Sequence, residues 1–163
     1  MDIVNFIHEL GSLKLVPRSG WLKIGISNPE SVAEHSFRTA IIAFILALKS
    51  GESIEKATKS AFYGLIHDIH EAKITDLHRI AKRYVRIDEE KLRNEQPDFG
   101  IDFSDVSKFV SDADKLELAF QAVEYYAINK YALEFTEKLE FETEAARDIF
   151  RELMKRKDPR WWR

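Results

Sequence analysis

Residues 40–48, read Ala-Ile-Ile-Ala-Phe-Ile-Leu-Ala-Leu, form the longest apolar run in the chain. The run is too short to span a bilayer, and it follows a polar segment rather than the basic start of a signal peptide. Upstream, Ser31 and Glu34 have the spacing of a capping box, in which each side chain satisfies the other's free backbone amide. Downstream, Gly51 can end a helix in the left-handed conformation. Together these predict a helix over 31–50 that is apolar nearly all round. A water-soluble chain hides such a helix at the centre of a helical bundle.

The rest of the sequence fits that frame. Ile3, Phe6, Ile7 and Leu10 recur at helical spacing and predict a first helix over 2–15. Pro17 and Gly20 mark the next segment as a loop. Ser53 can cap a third helix through Ile54, Ala57, Ala61, Leu65 and Ile66, with His67 and Asp68 in its C-terminal part. Asp76 reads as the N-cap of another helix, starting at Thr75-Asp76-Leu77 and running through Ile80, Ala81, Tyr84 and Val85. Residues 86–105 are charged and broken by Pro97 and Gly100, and read as a connector. A long helix follows from Val106 to about 130, with Asp114 beside its apolar stripe, Asp112 on another, solvated face, and tyrosines 125, 126 and 131 along it. The last helix carries Phe141, Ala145, Ile149, Phe150 and Leu153, and ends in Lys155-Arg156-Lys157, which suits the negative helix terminus. With only 6 glycines and 4 prolines, a many-turned β fold is disfavoured. The expected architecture is one all-α, single-domain bundle over 1–163, with its core at 2–155 and an aromatic tail at 156–163.

Composition removes several kinds of chemistry. There are no cysteines, so thiol catalysis, Cys-ligated zinc and disulfides are excluded, and any metal must use His, Asp or Glu. A net charge of −3, with Lys and Arg dispersed, supplies no positive field for nucleic acid. The expected setting is the cytoplasm, with neither nucleic acid nor membrane as partner.

Three places concentrate metal-ligand and acid–base groups. His35 follows Glu34 near the start of the central helix. His67 and Asp68 are adjacent, with Glu71 one turn beyond both. Asp114 lies inside the long helix, where an acid is costly to bury unless it is paired or bound to a cation. Neighbours on a helix point about 100° apart, so His67 and Asp68 share an ion only across a helix edge or where the helix loosens. Each group also has a plain reading: His35 as a satisfied buried histidine, Asp76 as a cap, and His8, His70 and His78 as solvated residues. In the loop at 16–21, Arg18 can clamp a phosphate with its planar fork, and Trp21 can wall a pocket or face a base.

Taken together, the words Pro17-Arg18-Ser19-Gly20-Trp21, Glu30-Ser31-Val32-Ala33-Glu34-His35-Ser36, His67-Asp68-Ile69-His70-Glu71-Ala72 and Asp114-Lys115-Leu116-Glu117 resemble the HD-domain metal-dependent phosphohydrolases, and within them the 5′-deoxynucleotidase branch. The resemblance runs in order over roughly residues 5–155. It implies an all-α bundle holding one divalent metal (Mn, Co, Zn or Mg) on His35, His67, Asp68 and Asp114. It implies Glu71 as the catalytic acid residue, Arg18 as the phosphate contact, and Trp21 and Asp76 as sugar-side contacts. Two positions depart from the family pattern: Thr75 stands where a glycine usually precedes the aspartate, and Ser19-Gly20 separate Arg18 from Trp21. The implied reaction is metal-dependent hydrolysis of nucleoside 5′-monophosphates, with deoxyribonucleotides preferred. Two alternatives remain open on sequence alone, an HD hydrolase of another nucleotide phosphate ester and a non-catalytic metal- or nucleotide-binding module. The surplus of aromatic residues, including Trp161 and Trp162, predicts a homodimer.

Overall fold

The capping box forms as the sequence predicts. The backbone N–H of Ser31 donates to Glu34 Oε2 at 2.7 Å, and the Glu34 N–H donates to Ser31 Oγ at 3.2 Å. These bonds hold the Glu34 carboxyl below its ordinary range. The computed structural model describes residues 2–97 and 99–163. Among them it contains α1 (Ile3–Ser12), α2 (Ser19–Leu22), α3 (Val32–Lys49), α4 (Ile54–Ile66), α5 (Glu71–Ile74), α6 (Glu89–Asn94), α7 (Ser107–Tyr126) and α8 (Glu144–Arg156). Two 3-10 segments, Ala81–Arg83 and Lys130–Thr136, complete an all-α fold. One isolated antiparallel bridge links Pro17 and Ser31. Gly51 ends α3 at φ +82°, in the left-handed region that glycine adopts without strain.

The contacts divide the chain into two units, Met1–His35 with His67–Asp102, and Ser36–Ile66 with Phe103–Arg163. In the first, α1 packs on α5, and Lys73 on α5 pairs with Glu9 of α1 at 2.9 Å. Phe6, Leu13, Trp21, Ile26, Val32 and Ile69 are its buried apolar residues.

In the second unit the core joins Ala43, Leu46 and Ala47 of α3, Ala57 of α4, Ala146 of α8, and an apolar face of α7 at Phe109, Val110, Ala113 and Leu116. Helices α3 and α4 approach closely at Gly64, where a Cβ would sit 3.0 Å from the Ala40 Cα. Arg38 ties α3 to α7: its Nε and Nη2 donate to Glu117 Oε1 at 2.9 and 2.6 Å, and Nη1 donates to Glu124 at 2.6 Å. Glu117 is fully buried, so this fork supplies the charge its burial requires.

Four expectations change. The apolar run is not buried all round, because α3 packs on one side only. Ala43, Leu46 and Ala47 are buried while Phe37, Ile41, Ile45 and Leu48, spaced four, four and three apart, stay exposed. The helix expected from residue 75 does not form. Thr75 takes φ +63°, which ends α5, and Asp76 binds Ser19 instead of capping. Only the 3-10 turn Ala81–Arg83 remains, with Ile80, Tyr84 and Val85 exposed. Asp112 is not solvated. It is fully buried and accepts from the Glu142 N–H at 2.9 Å, the Thr143 N–H at 2.7 Å and the Thr143 hydroxyl at 2.7 Å. Those bonds fix the turn that enters α8, where Thr143 Oγ1 caps the Ala146 N–H. Finally, α7 stops at Tyr126, so Tyr131 lies on the following 3-10 segment and not beside Tyr125 and Tyr126.

Candidate metal and phosphate site

The site is built where the loop before α2 meets the start of α3. The Arg18 N–H donates to the Glu30 carbonyl at 2.9 Å, and the Val32 N–H to the Val16 carbonyl at 2.9 Å. These bonds carry Arg18 to the turn from which His35 rises. Trp21 packs behind them, 1% exposed, with its indole N–H on Glu30 Oε1 at 3.1 Å. Trp21 is therefore buried and offers no open stacking face.

The second contribution comes from the end of α4. Helical geometry stops at Ile66 and residues 67–70 form a turn, so the loosening required for adjacent ligands is present. His35 Nε2 lies 3.8 Å and His67 Nε2 3.2 Å from Asp68 Oδ2, and the two imidazole rings are 5.5 Å apart. Ligand atoms from His35, His67 and Asp68 all fall within 4.8 Å of one another, as do those of Asp68, His70 and Glu71. The donor set, two imidazoles with a carboxylate, suits a first-row divalent ion. His35 is fully buried, while His67 and Asp68 are partly accessible.

The charges reinforce one another. Arg18 Nη1 sits 3.5 Å from Asp68 Oδ2 and 3.9 Å from Asp76 Oδ1. Burial pushes the Asp68 carboxyl upward, but the His67 hydrogen bond and the positive charges of His67, Arg18 and His35 outweigh it, so Asp68 stays ionised well below the usual carboxylate range. Glu71 goes the other way. Burial, then the negative charges of Asp68 and Asp76, push it up to about 8 against the weaker pull of Arg18 and Lys82. Its Oε2 is buried with no hydrogen-bond partner among the described residues. An orphaned acceptor beside a cluster of metal-ligand atoms is a place for a donor such as water.

The structure thus brings together Arg18, Trp21, His35, His67, Asp68, Glu71 and Asp76 from the sequence pattern. Asp114 lies partly buried in the middle of α7, in the second unit. Sequence reasoning missed Ser19, whose N–H and hydroxyl hold the Asp76 carboxylate and carbonyl across 57 positions. It also missed Glu30 as the anchor of Trp21. Neither contact leaves a local signal, since both join residues from different segments.

The HD domain family model matches residues 10–99, more than half of the 163-residue chain, and the chain belongs to that family. Among curated proteins it is similar to the 5′-deoxynucleotidase HDDC2 of Xenopus laevis, 29% identical over 154 residues, which cover 79% of this chain and 72% of that protein. Among solved structures it is similar to the crystal structure of genomics APC5600, 63% identical over 99% of both chains with a TM-score of 0.93. A coding region from Archaeoglobus fulgidus is 59% identical, again over 99% of both, with a TM-score of 0.83.

Proposed function

We propose that the chain is a phosphohydrolase that cleaves nucleoside 5′-monophosphates to nucleoside and phosphate, with deoxyribonucleotides preferred. The observation that carries this is Glu71: a buried carboxylate with an unpartnered oxygen, poised near neutrality, beside the His35–His67–Asp68 cluster. Scaffolding needs none of these features. The name of the Xenopus relative supplies the substrate class.

His35, His67 and Asp68 would hold one divalent metal, with Asp114 as fourth ligand on the strength of the sequence resemblance; manganese, cobalt, zinc and magnesium are the candidates. A metal bound there would supply positive charge to offset the phosphate dianion and would acidify water at the site. Arg18 would bind phosphate oxygens, and its ion pairs with Asp68 and Asp76 hold the guanidinium in place beforehand. Glu71 accepts the proton of the attacking water. Asp76, held by Ser19, and the wall formed by Trp21 border the sugar side.

The test separates binding from chemistry. Glu71→Ala keeps its metal and still binds a deoxynucleoside monophosphate, while turnover falls roughly 10²- to 10⁴-fold, as for a lost general base. Arg18→Ala raises KM and lowers kcat together. Near-full phosphate release by Glu71→Ala refutes the assignment.

Residues 1–163 are proposed as one HD domain, because the matched region 10–99 draws on both units. A homodimer is also proposed, supported by the exposed stripe Phe37, Ile41, Ile45 and Leu48 and by the exposed Trp161 and Trp162. Light scattering checks it. Among the described residues no helix is long and apolar enough to cross a membrane. The cytoplasmic setting is a proposal from composition.

A further inference from the structure

Glu71 also lines a cavity of about 340 Å³ built from residues 70–96. Ile74 of α5, Leu92 of α6, and Leu77 and Ile87 between them give it apolar walls. Gln96, just past α6, contributes a carboxamide whose Nε2 is buried and has no hydrogen-bond partner among the described residues. Nothing in the proposed reaction uses this space or this amide.

The lining indicates the occupant. Its volume falls in the range of about 300–1,000 Å³ common for small-molecule pockets. Its lining carries Lys82 opposed by Glu89, with Glu71 and His70 on the same wall, so it is not a cationic site built for a phosphate. A neutral planar ring meets apolar walls and, at Gln96, a buried donor that lacks an acceptor among the described residues. A buried amide N–H left without an acceptor is unfavourable, and a ligand that brings the acceptor removes that penalty.

We propose that this cavity receives the nucleobase of the substrate, and that Gln96 is a specificity-determining residue that donates from Nε2 to a ring nitrogen or carbonyl of the base. The proposal rests on the nucleotidase reading above, and it explains how the base is held while Arg18 takes the phosphate. All four bases carry such an acceptor, so the amide selects a base over no base, and not one base over another.

The test compares deoxynucleoside 5′-monophosphates with 2-deoxyribose 5-phosphate, which keeps the sugar and phosphate but has no base. Gln96→Met keeps the length of the side chain and removes the donor. We expect its KM for each nucleotide to rise roughly 3- to 10-fold, the size of one neutral hydrogen bond. Its kcat stays within about twofold, and its kinetics on the sugar phosphate match wild type. Leu92→Trp, which fills the cavity, should likewise raise KM for nucleotides alone, and it stands in if Gln96→Met does not fold by circular dichroism. Equal effects on both substrates, or none on either, overturn the base assignment while leaving the nucleotidase reading intact. Wild-type protein that cleaves neither substrate overturns both.

Discussion

Replacing Asp112 by Ala tests how much a single buried carboxylate holds α7 to the entry of α8. The side chain is fully buried and accepts three short hydrogen bonds, from the Glu142 N–H, the Thr143 N–H and the Thr143 hydroxyl. Alanine leaves all three donors without that acceptor. The Glu142 amide lies at a partly open position where water can replace the carboxylate, but the two Thr143 donors are buried. Two orphaned buried donors, at about 1–2 kcal/mol each, set the loss at about 3 kcal/mol. That is a large share of the 5–15 kcal/mol available to a folded domain, and it corresponds to a Tm lowered by roughly 6–12 °C for a chain of this length. Asp112→Asn keeps one acceptor oxygen and turns an amide donor toward another donor, so its loss should fall in between. Urea unfolding followed by circular dichroism gives the free energy directly. A loss below about 0.5 kcal/mol for Asp112→Ala would refute the reasoning, because it falls within the range of an ordinary surface substitution.

Two further outcomes follow from the first unit. Thr75 occupies φ +63°, a region costly for a β-branched residue. Thr75→Gly should therefore raise stability by about 1 kcal/mol, the net of roughly 1–3 kcal/mol of relieved strain and roughly 0.5–1 kcal/mol of added chain entropy in the unfolded state; thermal unfolding checks it, and a lower Tm would contradict it. In chelator-treated protein, Glu71 titrates near 8 when folded against 4.5 in an unperturbed chain, so the folded state keeps a proton that the unfolded state has lost. Its contribution to stability is present at acidic pH and is lost as pH rises from about 4.5 to about 8. Glu71→Gln should flatten that slope in urea titrations across the window, and an unchanged slope would contradict it. Asp68, held low, contributes in the opposite sense, through stability lost as pH falls below 3.8.

The candidate site was more legible in sequence than the local structure around it, for physical reasons that differ by residue. His35, the His67–Asp68 pair, Glu71 and Arg18 are chemically scarce groups set in recognisable words, so their identity alone marks them. The helices were legible where local rules dominate, as in the Ser31–Glu34 capping box and the Gly51 stop. Local rules fail where a distant partner decides. Asp76 looks like an N-cap, but Ser19 claims it from 57 positions away. Asp112 looks solvated by helical phase, yet the segment at 142–143 folds over it. The Thr75 conformation also has no periodic signature, and the apolar pattern of Ile80, Tyr84 and Val85 suggested a helix where only the 3-10 turn Ala81–Arg83 forms. Gln96 carried no signal at all, because an amide in a charged connector becomes informative only once its nitrogen is seen to be buried.

The most direct test of the central claim is phosphate release by the purified wild-type protein. Deoxyribonucleoside and ribonucleoside 5′-monophosphates would be assayed with added Mn²⁺, Co²⁺, Mg²⁺ or Zn²⁺, and again after treatment with a chelator. The account predicts one phosphate and one nucleoside per turnover, faster release from the deoxyribonucleotides, loss of activity with chelator and its return with metal. No phosphate from any nucleotide with any of the four metals, or release indifferent to chelator, would contradict it.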